Sequence, residues 1–358
     1  MEKNKNLSFI NILSTIFRKS IVGSISIIII ICTGLVAIFG YVITPDSSQD
    51  ANLMHISLAN KPMGFSAKML RIPIQNTTQK PFLQRIFTGE NILYEEIPIQ
   101  SYQVKNNQIT YTELTGETKQ LPLNSIENPD EAVYTKTFYL GTDKYGRDFL
   151  SRIIIGTRIS FFVGFIAVTI SLLVGVTLGA ISGYYGGKID AFIMWLINII
   201  WSIPTLLLVI AITLALGKGF WQIFVAVGLT MWVEVARITR GQFISLKEKE
   251  FVEAGRALGF SDFRLIFNHI LPNTWGPIIV ISAANFASAI LVESGLSFLG
   301  IGAQPPTPSW GGIIKENYGQ IILGYPHLAL IPGTCMLLMV LAFMLLGNQL
   351  RDILDVKE

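Results

Sequence analysis

Residues Ile21–Ile43 read IVGSISIIIIICTGLVAIFGYVI, 23 positions without a charge. Wound as a helix at about 1.5 Å per residue, the run reaches roughly 34 Å and crosses a hydrocarbon core of about 30 Å. A cleaved signal peptide would carry a shorter apolar region of about 7 to 15 residues, followed by a small-x-small site. No such site follows here, and Cys32 lacks the small neighbours of a lipoprotein cleavage site. The run is therefore expected to remain as an anchor. Lys3, Lys5, Arg18 and Lys19 precede it and place the N-terminus in the cytoplasm.

The remaining chain continues in the same style. Of 358 residues, 51% are hydrophobic and 14% charged, with a mean hydropathy of +0.52, whereas a soluble domain carries about 25% charge. A soluble enzyme is excluded and an integral membrane protein expected. The net charge of +3 is too small, and its basic residues too closely tied to membrane topology, for nucleic-acid binding. Two cysteines, Cys32 and Cys335, exclude a disulfide framework or a metal cluster.

Five further apolar segments follow, at about Ile159–Ser182, Ala191–Leu216, Phe220–Val235, Thr274–Ile301 and Leu328–Gly347, making six spans with both termini inside. Lys188, Arg237, Arg240, Lys247, Lys249, Arg256, Arg264, Arg351 and Lys357 then fall inside, and the short outer loops hold only Lys218 and Lys315, as the positive-inside rule requires. The expected layout is 1–44 for the cytoplasmic N-terminus and first span, 45–139 for an extracytoplasmic insert, 140–350 for a five-helix core with a cytoplasmic loop at 237–272, and 351–358 for a cytoplasmic tail. Between Pro45 and Arg152 stand 12 acidic and 11 basic residues, near the soluble average. Within that segment Tyr102–Lys105 and Gln108–Tyr111 alternate apolar and polar residues around Asn106-Asn107, a β-hairpin pattern. The insert is either decorative or a docking surface.

The cytoplasmic loop carries a second pattern. Phe251, Ala254 and Leu258 stand at i, i+3 and i+7 on one helical face. Gly259 fits a helix C-cap, and Ser261 fits the N-cap of a second helix with Phe263, Ile266, Phe267 and Ile270, ended by Pro272. Such a lever below the bilayer suits a soluble partner, though an ordinary interfacial helix pair reads the same. Gly217-Lys218-Gly219 is the nearest fragment to a phosphate-binding Gly-x4-Gly-Lys-Ser/Thr and lacks the hydroxyl for magnesium, so the chain is not expected to hydrolyse ATP by itself. His269, His55 and His327 have no partner at ligand spacing. Glu234 is three residues before Arg237, a local helical pair. Glu293, inside the fifth span, either lines a pathway or pairs structurally, Arg158 being one partner. Pro204 predicts a kink, and Gly156, Gly164, Gly175 and Gly179 predict close helix contact.

Glu253-Ala254-Gly255, three residues, Gly259, nine residues, then His269-Ile270-Leu271-Pro272-Asn273 resembles the EAA loop of binding-protein-dependent ABC importer permeases. The usual third residue is alanine; Gly255 loosens that turn by up to about 1 kcal/mol. Leu140-Gly141-Thr142-Asp143 with Gly146-Arg147-Asp148 and Ser151-Arg152, then Gly183-Tyr184-Tyr185-Gly186-Gly187 with Asp190, are similar to the dipeptide and oligopeptide permease family, C-type subunit. So are Glu293–Gly300, Pro305–Gly311 and Leu346-Gly347 with Leu350-Arg351-Asp352. Trp195 and Asn198 depart from its pattern, and the insert is longer than usual.

The resemblance implies an all-α, six-span type I importer permease in the bacterial inner membrane, forming half of a pathway for di- or oligopeptides. Its partners would be a homologous second permease, two ATPase subunits that bind ATP and magnesium, an extracytoplasmic substrate-binding protein and membrane lipid. The chain itself would hold no cofactor. By the same resemblance Glu253, Ala254, Gly255, Gly259, His269, Leu271 and Pro272 couple to the ATPase, while Asp143, Gly146, Arg147, Asp148, Arg158, Trp310 and Gly311 carry family motifs. Glu293, Pro204 and Asn285 are candidates for pathway or gating. Rival readings are another cargo, such as a nickel chelate or glutathione, an ion-coupled secondary transporter, or a membrane scaffold. With the insert outside, a protease added to right-side-out vesicles is expected to cut near Lys80 or Lys119; complete protection would overturn this topology.

Overall fold

The computed structural model describes residues 14–18, 20–75, 77–105, 107–123, 126, 132–217 and 219–355. The readings placed on Lys3, Lys5, Lys19, Asn106, Lys218 and Lys357 lie outside these residues. In chain order the elements are α1 (Ile21–Ile43), β1 (Phe65–Pro73), α2 (Phe82–Thr88), β2 (Tyr94–Lys105), β3 (Gln108–Glu113), β4 (Thr118–Pro122) and β5 (Val133–Phe138). There follow α3 (Phe149–Tyr185), α4 (Gly187–Ser202), α5 (Thr205–Leu216), α6 (Phe220–Leu246), α7 (Glu250–Ala257), α8 (Asp262–Leu299), α9 (Trp310–Asn317) and α10 (His327–Asp355).

Among the described residues α1, α3, α6, α8 and α10 are long and apolar enough to cross a membrane, and α4 with α5 makes a sixth span only as a pair bent by 95°. The kink expected at Pro204 is thus a break. Pro204 holds φ at −54° with extended ψ, and Ile203 before it is extended too, because a proline disfavours helical backbone in the residue ahead of it.

The chain divides into two compact units, one of residues 1–34, 160–304 and 334–358, the other of residues 35–159 and 305–333. The second unit holds the β-containing insert, a five-stranded antiparallel sheet in the order β4-β3-β2-β1-β5. The expected hairpin is β2–β3, with Lys105 opposite Gln108 and Tyr102 opposite Tyr111. Asn107 adopts φ +58, the left-handed conformation a two-residue turn demands. Leu70, Ile99, Ile109 and Tyr111 pack one apolar cluster, and Ala67, Met69, Phe138 and Leu58 another, as alternation along a strand dictates.

In the first unit α6 packs against α4, α5 and α8. Glycine makes the close approaches of α3 possible. A Cβ at Gly175 would stand 2.7 Å from the Trp232 carbonyl oxygen, one at Gly179 2.5 Å from that of Ala236, and one at Gly183 2.7 Å from that of Arg240. These three glycines, four residues apart, let the backbones of α3 and α6 meet. Gly164 does the same for the Phe286 ring, whose stack on Phe343 has centroids 3.8 Å apart. Because a backbone carbonyl cannot yield as a side chain does, Gly179→Val is expected to cost about 1–3 kcal/mol. The check is a lowered thermal-aggregation midpoint of the purified chain in detergent.

Candidate functional site

Three polar constellations stand out against the apolar background. The first is the turn between α6 and α8. In α7, Glu250 and Glu253 occupy the first turn and Arg256 the last, each sign favoured by the helix dipole. Val252 and Gly255 are buried, whereas Phe251, Glu253, Ala254 and Leu258 are exposed. The stripe read from the sequence therefore faces away from the chain. The inward face is Val252, packed with Phe243, Leu265, Ile266, Ile270, Ala180 and Tyr184. A Cβ at Gly255 would lie 2.8 Å from Leu265 Cδ2, so the residue that weakens α7 locally also seats it closely.

A Schellman turn closes α7. Gly259 has φ +78, its N–H donates to the Arg256 carbonyl at 2.9 Å, and the Phe260 N–H donates to that of Gly255 at 3.0 Å, the pattern only a left-handed residue permits cheaply. Ser261 Oγ accepts from the Arg264 N–H at 3.4 Å, as the capping signal required. His269 stacks on Phe260 with centroids 5.5 Å apart, and the Arg264 guanidinium lies 3.9 Å from the same ring. The Tyr184 hydroxyl donates to Asp262 Oδ1 at 2.6 Å, tying the end of α3 to the start of α8.

Pro272 does not end the second helix. α8 runs on to Leu299 through a π-turn at Leu265–Ile270, in which the Leu271 N–H reaches back to the Ile266 carbonyl. Proline lacks the N–H of an ordinary turn and its ring crowds the carbonyl four residues back; a wider turn ahead of it accommodates both. Asn273 Nδ2 donates to the His269 carbonyl at 2.6 Å.

The second constellation runs along α4, from its first turn to the break with α5. Asp190 accepts from Arg240 Nε at 2.6 Å and Nη2 at 2.7 Å, and also from the Ser182 hydroxyl. The expected Glu234–Arg237 pair does not form: the Arg237 guanidinium lies 3.9 Å from the Trp201 ring centroid, and Glu234 makes no ion pair among the described residues. Instead Glu234 lines a cavity of about 220 Å³ together with Trp201, Thr205, Thr230, Asn285 and Ser288. Asn285 is 2% exposed and its Nδ2 has no hydrogen-bond partner. Asn285 thus meets the break beside Pro204, whose neighbours Ile203 and Thr205 share that lining.

Glu293 does not share it. Fully buried, it accepts from Ser297 Oγ at 2.6 Å and Ser294 Oγ at 3.4 Å, and Ser297 in turn accepts from the Ala303 N–H at 3.2 Å. Its carboxylate therefore braces the turn that follows α8. Trp195 and Asn198 are exposed on α4, Trp195 against Phe192.

The third constellation, in the second unit, collects the motif residues before α3. Arg147, 2% exposed, donates to Asp143 Oδ2 at 2.6 Å, Glu316 Oε2 at 2.6 Å and Asn52 Oδ1 at 3.2 Å. Arg152 donates to the Pro306 carbonyl at 2.7 Å and to the Asp50 carbonyl at 3.2 Å, and approaches Glu316 at 3.5 Å. Asp148 accepts from the N–H and hydroxyl of Ser151; burial pushes its carboxyl up, against those two donors. Gly146, at φ +71, lies where a Cβ would strike the His55 carbonyl. The Trp310 indole donates to the Ile153 carbonyl at 3.3 Å, and Gly156 leaves room for Trp310 and Ile313; Gly311 is buried beside it. Arg158 donates to the carbonyls of Ile86 at 2.5 Å and Phe87 at 3.3 Å.

Glu316, the acceptor shared by both buried arginines, escaped the sequence reading. Nothing local marks it, since its partners lie 169 and 164 positions earlier. The same is true of the Tyr184–Asp262 and Asp190–Arg240 pairs.

Residues 175–357 match the family described as binding-protein-dependent transport system inner membrane component. The chain is 42% identical to the dipeptide transport system permease protein DppC of Alkalihalophilus pseudofirmus, over 66% of its own length and 76% of that protein. It is 40% identical to the glutathione transport system permease protein GsiD of Pectobacterium atrosepticum, over 61% and 72% respectively. Among solved structures, a chain of the MetNI methionine ABC transporter in an inward-facing conformation aligns with 57% of this chain and 95% of its own, at 17% identity and a TM-score of 0.45.

Truncating Arg147 in the third constellation strands the buried Asp143 carboxylate. Arg147→Ala is expected to cost about 3–5 kcal/mol, read as a marked fall in the thermal midpoint of the detergent-purified chain; an unchanged midpoint would remove Arg147 as the brace.

Proposed function

Because the chain belongs to the binding-protein-dependent transport system inner membrane components, we propose that it forms half of a translocation pathway for di- or oligopeptides delivered by an extracytoplasmic binding protein. It is a multi-pass inner-membrane permease subunit of an ABC importer. The second half is a homologous permease, and ATP is hydrolysed on two separate ATPase subunits. The N- and C-termini lie in the cytoplasm and the β-sheet insert outside, a placement supported by the basic residues of the inner loops.

The observation that carries the reading is the exposed face of α7. Phe251, Ala254 and Leu258 stand out from the chain beside Glu253, while the opposite face is locked into an apolar cluster with α3, α6 and α8. An exposed apolar face with a carboxylate at its edge suits a groove on a soluble motor subunit. Its base cannot yield independently, because the Schellman turn, the Ser261 cap and the Tyr184–Asp262 hydrogen bond fix it. Force applied to α7 therefore enters α8, one helix of 38 residues that also carries Asn285. At Asn285 the load meets the broken α4–α5 span, where backbone without a helical ladder is free to re-pack. We assign coupling to Glu253, Ala254, Gly255, Gly259, His269, Leu271 and Pro272, and pathway or gating contact to Asn285 and the Pro204 break. Glu293 serves by holding the turn after α8. Glutathione, itself a short peptide, is the second cargo, favoured by the resemblance to the GsiD permease.

Glu253→Ala removes one charge-assisted contact, worth about 1.5–3 kcal/mol. ATP-driven uptake of a labelled dipeptide by the reconstituted complex is expected to fall about tenfold or more with membrane insertion intact; unchanged uptake would overturn the assignment.

A further inference from the structure

The insert contains one feature that importer function leaves unexplained. Phe82, Leu83 and Phe87 of α2 are 61%, 71% and 66% exposed, on a helix of seven residues whose only buried residue is Ile86. In water such a helix would be marginal and its apolar face a liability.

Its C-terminal end is finished by side chains. Lone carbonyls at the end of a helix are met by side chains, by water or by a tighter last turn. Here the Ile86 and Phe87 carbonyls accept from Arg158. Those of Thr88 and Gly89 accept from Lys80 Nζ at 3.4 and 3.0 Å. All four are met by cationic side chains, which also oppose the negative end of the helix dipole. Finishing a helix end without water is what a chain needs where water is scarce.

The position of Arg158 sets the depth. It stands nine residues into α3, roughly 13 Å along the axis, and is the last charge before an uncharged run that continues from Ile159 to Gly187. Its guanidinium also lies 4.7 Å from the ring of Tyr41, in the last turn of α1. Arginine and tyrosine at the ends of apolar spans mark the boundary between headgroups and acyl chains. Because Arg158 bonds the backbone of α2 directly, α2 is held at that boundary. Tyr41 adds a second fix, since a Cβ at Gly89, the residue after α2, would lie 2.9 Å from its ring.

We propose that α2 is an interfacial helix, with the bilayer surface covering Phe82, Leu83 and Phe87 and the basic groups Lys80, Arg85 and Arg158 at headgroup level. Apolar side chains on one face with basic residues around them are the composition of helices that lie in this plane. The insert is then seated on the membrane at a second point in addition to the ends of α1 and α3, which keeps its sheet at a fixed height. A protein partner is the competing occupant, and depth separates the two: a partner approaching from water would meet α2 only above the level of Arg158.

The test is nitroxide scanning of the full chain in phospholipid vesicles. Cys32 and Cys335 are replaced by alanine, and single labels are placed at Leu83→Cys, at Phe87→Cys, and at Thr115→Cys on the exposed β3–β4 turn. Collision rates with oxygen, which partitions into lipid, and with a neutral nickel chelate, which stays in water, give the depth. The expected result is a several-fold preference for oxygen at both α2 positions and the reverse preference at Thr115. Nickel accessibility at Leu83 and Phe87 equal to that at Thr115 would overturn the proposal. So would protection that appears only when the binding protein is added. The readout needs neither ATPase nor cargo, so failure of the importer reading would leave it standing, and its own failure would leave that reading intact.

Discussion

A peptide carbonyl or amide that faces hydrocarbon has no water to turn to, and an unmet one costs several kcal/mol. That constraint decides where this chain is regular and where it is allowed to break. α1, α3 and α6 carry their backbone bonds internally, whereas α8 and α10 each hold an interior proline, Pro277 and Pro332, that removes one donor from the ladder. Their hydroxyls fold back onto the same ladders, as with Thr33 on the Ile29 carbonyl at 2.7 Å, Thr177 on Leu173 at 2.6 Å and Ser282 on Ile278 at 2.6 Å. Departures from the rule coincide with prolines: the bend at Pro204 and the π-turn ahead of Pro272.

The same scarcity of water governs charge. Each strongly engaged arginine is committed to several acceptors at once, Arg147 to Asp143 and Glu316, Arg240 to Asp190, Arg158 to two carbonyls. A planar guanidinium with five donors suits this role better than an ammonium would. In the water-exposed sheet the logic changes to a mixed cluster. Burial disfavours a charged Glu96, yet Lys136, Tyr134 and Arg71 together hold its carboxyl below the usual carboxylate range.

These commitments leave few polar groups available for work. Glu253 on α7 and the unpaired amide of Asn285 stand at two points of one structural path, since α7 is cemented onto α8 and α8 carries Asn285. Glu253 is exposed at the lever, and at the broken span Asn285 Nδ2 is buried without a hydrogen-bond partner.

Six apolar runs, the β2–β3 hairpin, the Gly259 turn, the Ser261 cap and the lever could be read directly from the order of residues, because each depends on contacts within a few positions or on length against a bilayer. The orientation of the lever could not. Phe251, Ala254 and Leu258 define a face by their spacing, but only the space left between α3, α6 and α8 decides that Val252 fills it and that the patterned face looks outward. Likewise Pro204 announced a disturbance without its angle, and Pro272 an end that a wider turn bypassed. Glu316, Asp190 and Asp262 gained their partners only when distant segments met. Local spacing carries periodicity and punctuation; it carries no information on which carboxylate, far along the chain, will arrive beside an arginine that must not stay alone.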